Sequence, residues 1–305
     1  MTGQSGPSEG AGYLAPAKIN LCLHVGDRRE DGLHDLHSLV CFADIGDRLR
    51  VAPAATLQLE ISGPFAEALN DLDPAQNLVL RAARELQRRA NINLGARIKL
   101  EKNLPVASGI GGGTADGVAA LICLRKFWQL KLSDDEVRAI AFELGADGPV
   151  CLAPHFDQPG AVVMRGAGEV VETGPILPKI WICLVNPGVA VSTAQIFAEL
   201  AAMSRRRIPS QLPDYLSHLT WDGLRDFLAV TRNDLEPYVA RHLPVIGEMR
   251  YKLAKSPGCL GARMSGSGAS VFGLFATQDQ AQAAAEQFEE QNFWAVAAKI
   301  LSSGD

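Results

Sequence analysis

"LPVASGIGGGTADGV" (104–118) holds four glycines within five positions, Gly109, Gly111, Gly112 and Gly113, and runs straight into an apolar pattern of helical spacing. Each glycine costs a helix or strand about 0.5–1 kcal/mol relative to alanine. Clustering them at one helix entrance implies that something approaches the main chain closely. Phosphate fits, because the first N–H groups of a helix have no partner within it and point outward. A flexible loop that merely precedes a helix is the alternative at this level. Two common phosphate-binding templates fail. A Walker A loop needs a lysine after its last glycine, whereas Gly117 is followed by Val118 and Ala119. G-x-G-x-x-G ends on Thr114 when counted from Gly109 and on Asp116 when counted from Gly111.

Outward from the loop, hydrophobic periodicity predicts elements of both kinds. "AKINLCLHV" (17–25) alternates Ile19, Leu21, Leu23 and Val25 against Lys18, Asn20, Cys22 and His24, the period of a half-buried strand. Lys18 and Asn20 share its more polar face. Strand patterns follow at 37–43, 47–53, 56–62 and 96–102, and a helical one with a basic end at 76–90. The glycine loop leads into a helix at about 114–128, and the capping box of Ser133 and Glu136 opens another, which "LGADGP" stops. From 179 the pattern restarts with the buried strand "KIWICLVN" and helices at 194–202, 221–229 and 234–254. "GARMSGSGASVFGLFA" reads as strand, tight glycine turn, strand, before a helix at 279–290 and a strand at 293–300. The class is α+β in both halves, with the joint at 160–178. This divides the chain into a disordered tail (1–12), an N-terminal domain (13–165) and a C-terminal domain (175–303), with a surface excursion at 202–223.

Composition narrows the function classes. The 305 residues are 47% hydrophobic and 21% charged, with a net charge of −5 and scattered acids, so there is no nucleic-acid footprint. No apolar run approaches the ~18 residues of a membrane span, and the start has no basic n-region or apolar core. Six cysteines without a C-x-x-C pair predict reduced, buried thiols and a cytoplasmic setting. The one H-x-x-H, His34 and His37, lacks a third ligand nearby and is read as no metal site.

Three longer stretches then converge. Pro105 to Thr114 resembles the second motif of the GHMP small-molecule kinases, P-x-x-x-G-[LI]-G-G-G-[ST]. "RMSGSGASVFGLF" resembles their third motif, and "APAKINLCLHVGDRREDGLHDLHSL" the first-strand motif of their 4-diphosphocytidyl-2-C-methyl-D-erythritol kinase branch. "LGADGPVCL" and "NDLE" match that branch too, in order, so the resemblance covers about residues 13–300. It implies a two-domain GHMP kinase fold: a ribosomal-S5-domain-2-like N-terminal domain, a ferredoxin-like C-terminal domain, and the active site in the cleft between them. The implied reaction moves the γ-phosphoryl of ATP, with Mg2+ brought in alongside it, to the 2-hydroxyl of the diphosphocytidyl-methylerythritol acceptor, a step of non-mevalonate isoprenoid biosynthesis. The alternatives are another GHMP kinase with a sugar, homoserine or mevalonate-type acceptor, or a catalytically silent nucleotide-binding regulator. The expected partner is a small-molecule substrate, with neither nucleic acid nor membrane, and the chain a monomer or weak homodimer.

Roles follow from the same resemblance. Asp147 matches the catalytic aspartate and Lys18 the catalytic lysine, and the two are expected close together. ATP is expected on Lys102, Pro105, Val106, Ala107, Ser108, Gly109, Ile110, Gly111, Gly112, Gly113, Thr114 and Ala115, with Asn103 beside Lys102 facing the adenine. Thr114 reads equally as an N-cap, a phosphate donor or a Mg2+ ligand, and Asp116 as a first-turn acid or a metal ligand. The acceptor is expected on Asn20, Leu33, His34, Thr193, Phe197, Ser265, Gly266, Ser267 and Gly268. One departure is visible: the usual DGYH is "DGLH", so Leu33 replaces a tyrosine that stacks on the cytosine, while Phe197 on its other side remains.

Overall fold

The computed structural model describes residues 12–70, 73–156, 160–202, 210–212 and 218–302. Residues 1–11 of the expected tail, and 203–209 and 213–217 of the expected surface excursion, lie outside the described residues.

One long strand organises the N-terminal half. β1 (Tyr13–Asn20) and β2 (His24–Arg28) precede β3 (His34–Ala52), which spans both strands expected at 37–43 and 47–53. The segment between them stays extended because Gly46 pairs with Pro16, and a β-carbon at Gly46 would stand 2.1 Å from the Ala15 carbonyl oxygen. β4 (Leu57–Ser62), helix α1 (Leu78–Ala90) and β5 (Ala96–Glu101) follow, then α2 (Gly112–Phe127), α3 (Asp134–Leu144) and the short α4 (Gly148–Cys151). β6 (Val162–Gly166) and β7 (Val170–Thr173) form a hairpin within the stretch read as a joint, so the first sheet continues to Thr173. β1 and β2 pair along one edge of β3, and β5 and β6 along the other.

The second sheet comprises β8 (Trp181–Asn186), β9 (Gly261–Met264), β10 (Val271–Phe275) and β11 (Trp294–Lys299) in the order β11-β8-β10-β9, antiparallel throughout. That is the order of a ferredoxin-like sheet. Its helices are α5 (Thr193–Ala202), α6 (Trp221–Val230), α7 (Glu236–His242), α8 (Val245–Lys255) and α9 (Gln278–Glu289). The single helix expected at 234–254 is thus two. Pro244 lacks an N–H and clashes with a preceding helical turn, so it can only start α8.

The two sheets share a core. Ile19, Leu39 and Cys41 of the first pack with Ile182, Leu184, Phe272 and Leu274 of the second, around Ile110 of the glycine loop. Main-chain bonds cross as well: Leu301 N–H donates to Phe42 O (2.8 Å) and Leu23 N–H to Arg232 O (2.9 Å). Consequently β1 is not half-buried as its alternation suggested. Its polar face is covered too, with Lys18 3% and Asn20 1% exposed.

Candidate active site

The first sheet delivers Lys18 through a defect. The β1–β3 register shifts between Pro16 and Lys18, and the Lys18 N–H donates instead to Ile110 O in the glycine loop (2.9 Å). A bulge that re-aims a side chain in this way is a recurrent device beside functional sites. Ile110 itself is wholly buried, so its part is played by its carbonyl.

The loop is held by a second glycine turn. A β-carbon on Gly109 would fall 2.5 Å from Ser265 O, and one on Gly266 2.4 Å from Gly109 O. Ser265 Oγ donates to Gly109 O (3.2 Å) and accepts from the Asn20 N–H (3.2 Å), while Ser270 N–H donates to Ser108 O (2.9 Å). Ser265 and Gly268 therefore face the other loop rather than the cleft, which Gly266 and Ser267 border. Gly111, at φ 70, caps α2 with no side-chain bond, and Ala115 N–H is the first to turn back, onto Gly111 O (2.9 Å). The N–H groups of Gly112, Gly113 and Thr114 are left without helical partners. The helix starts two residues earlier than expected, so Thr114 is not its cap. Gly113 differs from the other glycines: a β-carbon there would meet nothing within 4 Å.

Beside these amides lies a cavity of about 410 Å3. Lys18, Asn20 and Asp147 line it with the glycine loop, Thr193, Phe197, Gly266 and Ser267. The expected pair is in contact: Lys18 Nζ stands 3.0 Å from Asp147 Oδ2. The buried ammonium also donates to Asn20 Oδ1 (2.8 Å), and Asn20 Nδ2 donates to Ser38 Oγ (2.9 Å), which fixes the lysine's direction. Asp147 precedes α4 and makes no capping bond, leaving its side chain 35% exposed toward the cavity.

Beneath the loop is an ionic cluster that sequence reading missed. The Lys102 ammonium contacts Asp47 and lies 2.7 Å from Asp116 Oδ2, all three being buried. Its ammonium is thus held by two carboxylates beneath the loop, and Lys102 borders the cavity from below. Asp47 Oδ1 also accepts from the N–H groups of Asn103 (2.6 Å) and Leu104 (2.9 Å), which aims the chain into the loop. Burial pushes the Asp116 carboxyl well above the usual carboxylate range, against the pull of Lys102. Burial also opposes the Lys102 charge, but Asp116 and Asp47 outweigh it and hold its pKa above that of a free lysine. Asp116 is thus not a first-turn acid serving the dipole. Its Oδ1 is buried, borders the cavity and has no hydrogen-bond partner. Asn103 does not reach this cavity and lines a separate one with Asp44 and Trp294. A signal for Asp47 existed: it shares the alternating face of Leu49 and Val51, where an acid must find a partner.

At the other end Phe197 borders the cavity and His34 packs behind it, the rings tilted by 39° with centroids 5.2 Å apart and His34 Nδ1 2.9 Å from Gly26 O. Thr193 Oγ1 and Ser267 Oγ are 2.7 Å apart, closing that end from the second half. Leu33 is 37% exposed on the turn before β3 and does not border the cavity. Leu69, Gln76, Asn77 and Leu78 form the wall opposite, and no sequence pattern marks them.

Residues 77–164 match the GHMP kinases N terminal domain, and 216–293 the GHMP kinases C terminal family. A 4-diphosphocytidyl-2-C-methyl-D-erythritol kinase of Cereibacter sphaeroides (strain ATCC 17029 / ATH 2.4.9) is 49% identical over 94% of this chain and 98% of its own. One from Paramagnetospirillum magneticum (strain ATCC 700264 / AMB-1) is 44% identical over 94% and 98%. The crystal structure of a 4-(cytidine 5'-diphospho)-2C-methyl-D-erythritol kinase superposes with a TM-score of 0.75 at 31% identity, covering 96% of this chain and 100% of that one.

Proposed function

The chain belongs to the GHMP kinases, in their 4-diphosphocytidyl-2-C-methyl-D-erythritol kinase branch, and from that membership we propose how its cleft performs the reaction. The enzyme transfers the γ-phosphoryl of ATP to the 2-hydroxyl of 4-diphosphocytidyl-2-C-methyl-D-erythritol, within isoprenoid biosynthesis. The observation that carries the residue assignment is the Lys18–Asp147 contact beside free helix-start amides.

Phosphoryl transfer asks a protein for positioning and charge neutralisation more than for covalent chemistry. The N–H groups of Gly112, Gly113 and Thr114 bind the phosphates, aided by the roughly +0.5 charge at the start of α2. The nucleotide base rests against Leu69, Leu78 and Pro105–Ala107. Asp147 accepts the proton of the attacking hydroxyl, and Lys18 keeps that carboxylate ionised and steadies the forming alkoxide. Phe197 and His34 hold the cytosine end of the acceptor, and Asn20 its methylerythritol part. Mg2+ fits the cleft, because Asp116 Oδ1 is a buried oxygen without a partner. Asp116 and Thr114 would hold the ion beside the triphosphate, where it would neutralise charge on the transferring phosphoryl. Among the described residues no group of three His, Cys, Asp or Glu gathers to hold a metal unaided, in keeping with an ion carried by the nucleotide. A cytoplasmic setting suits six unpaired cysteines, five of them buried. No described helix is long and apolar enough to cross a membrane.

A coupled assay of ADP release, with and without the diphosphocytidyl acceptor and beside a panel of sugar, homoserine and mevalonate, tests the reading. ADP should appear only with the diphosphocytidyl compound. Release with another acceptor would move the chain to a different branch, and ATP binding without release from any acceptor would make it a regulator.

A further inference from the structure

The Lys18 ammonium ends a flexible four-carbon stem, so the fold must hold it still for a reaction at one oxygen. Gly111 confines the stem, since a β-carbon there would stand 3.2 Å from Lys18 Cε. At the head, Asn20 Oδ1 (2.8 Å) and Asp147 Oδ2 (3.0 Å) take two of the three ammonium hydrogens. Asp147 is 35% exposed and takes up a proton in the reaction proposed above, so it is a poor anchor. Asn20 is buried and keeps one charge state throughout. It is the fixed reference for the lysine.

Asn20 is in turn held at both ends. Its main-chain N–H donates to Ser265 Oγ (3.2 Å), which leaves the side-chain amide as the part still able to turn. Ser38 stops that turn. It lies on β3, opposite Met164 of β6, is wholly buried and does not border the cleft. Its hydroxyl has one hydrogen, which goes to Cys22 O (2.5 Å), a carbonyl that can only accept. Only lone pairs then remain on Ser38 Oγ, so it accepts from Asn20 Nδ2 (2.9 Å) and cannot donate to Asn20 Oδ1. The amide is thereby set with its nitrogen on Ser38 and its oxygen on the ammonium. Cys22 O is open to Ser38 because Cys22 lies in the break between β1 and β2, where the Leu39 N–H meets Cys22 Sγ (3.4 Å) instead of a ladder carbonyl.

We propose that Ser38 is a positioning residue for phosphoryl transfer, placing the Lys18 ammonium through Asn20 without touching substrate. The inference rests on the roles given above to Lys18 and Asp147. A serine that only tied β3 to Cys22 would change stability and leave the rate per folded enzyme alone. The test is a double-mutant cycle on kcat of the full chain, followed with radiolabelled ATP and the diphosphocytidyl acceptor. Ser38→Ala should lower kcat about tenfold or more, because misplacing a catalytic group by about 1 Å can cost about 10²-fold, with little change in KM for ATP. Ser38→Thr keeps the oxygen and should restore most of the rate. In a Lys18→Met background the further loss from Ser38→Ala should nearly vanish, since the group it acts through is gone. Where Ser38→Ala does not fold, Ser38→Cys, a weak acceptor of similar size, takes its place in the cycle. Normal kcat in Lys18→Met would remove the lysine's role and, with it, the reading beneath this inference. A slow Lys18→Met enzyme beside a normal Ser38→Ala one overturns the part of Ser38 alone. So does an equal loss from Ser38→Ala in both backgrounds, or a folded Ser38→Thr enzyme as slow as Ser38→Ala.

Discussion

Single residues here carry separable duties. Asp147→Asn keeps a similar shape but removes the carboxylate we propose as proton acceptor, so kcat should fall by about 10²–10⁴ with an intact melting curve. Near-normal turnover would exclude the role. Phe197 offers an aromatic face to the base end, and base stacking contributes about 1–3 kcal/mol. Phe197→Ala should therefore raise KM for the diphosphocytidyl acceptor at least about fivefold with a lesser effect on kcat. Leu33→Tyr should lower the same KM if the turn before β3 folds over the bound base. An unchanged KM would mean that Leu33 stays outside the site, as its exposure in the free chain has it. Another residue reports on acid stability. Burial holds the His155 imidazole down to about 4, and its Nε2 has no partner. The folded chain thus keeps it neutral where the unfolded chain, titrating near 6.5, takes up a proton. That contribution is present above the unfolded value and is lost as pH falls toward and through about 4. His155→Leu should flatten the acid limb of a plot of melting temperature against pH, and an unaltered limb would contradict it.

At the scale of elements, the glycine loop separates packing from ligand approach. Gly109 is required by the fold, since any β-carbon there strikes the turn around Ser265 and φ is 76. Gly113 has open space around it and lies inside α2. Gly109→Ala should therefore destabilise the protein and lower expression. Gly113→Ala should leave stability equal or up to about 1 kcal/mol higher, while raising KM for ATP by crowding the phosphates. A Gly113→Ala enzyme with normal KM would place the triphosphate elsewhere. The same elements show what local sequence could tell. The capping box at Ser133 and Glu136 forms as read, because both halves of it are local. The merger of two expected strands into β3 was not legible, because it depends on Gly46 lying against Ala15, thirty-one residues away in the chain.

For the whole molecule, the shared core makes the two halves one folding unit. Phe272 of the second sheet is fully buried in the cluster that also holds Ile19 and Leu39 of the first. Phe272→Ala should cost about 3–5 kcal/mol and shift a single transition seen alike by circular dichroism and tryptophan fluorescence. Two separated transitions would show the sheets to be independent.

By itself the sequence determined most of the elements, because capping, periodicity and glycine spacing act over a few residues, and its ordered motifs marked the family by resemblance. It also singled out Lys18 and Asp147, which a motif can mark from afar. Tertiary structure alone decided that Lys102 pairs with Asp47 and Asp116 beneath the loop, that Asn103 lies outside the cleft and that Leu69 and Gln76–Leu78 form a wall. Those outcomes depend on which charges and surfaces meet across distant stretches of chain. A buried ammonium goes to the carboxylates that can offset its desolvation, and only the folded arrangement brings Asp47 and Asp116 to it.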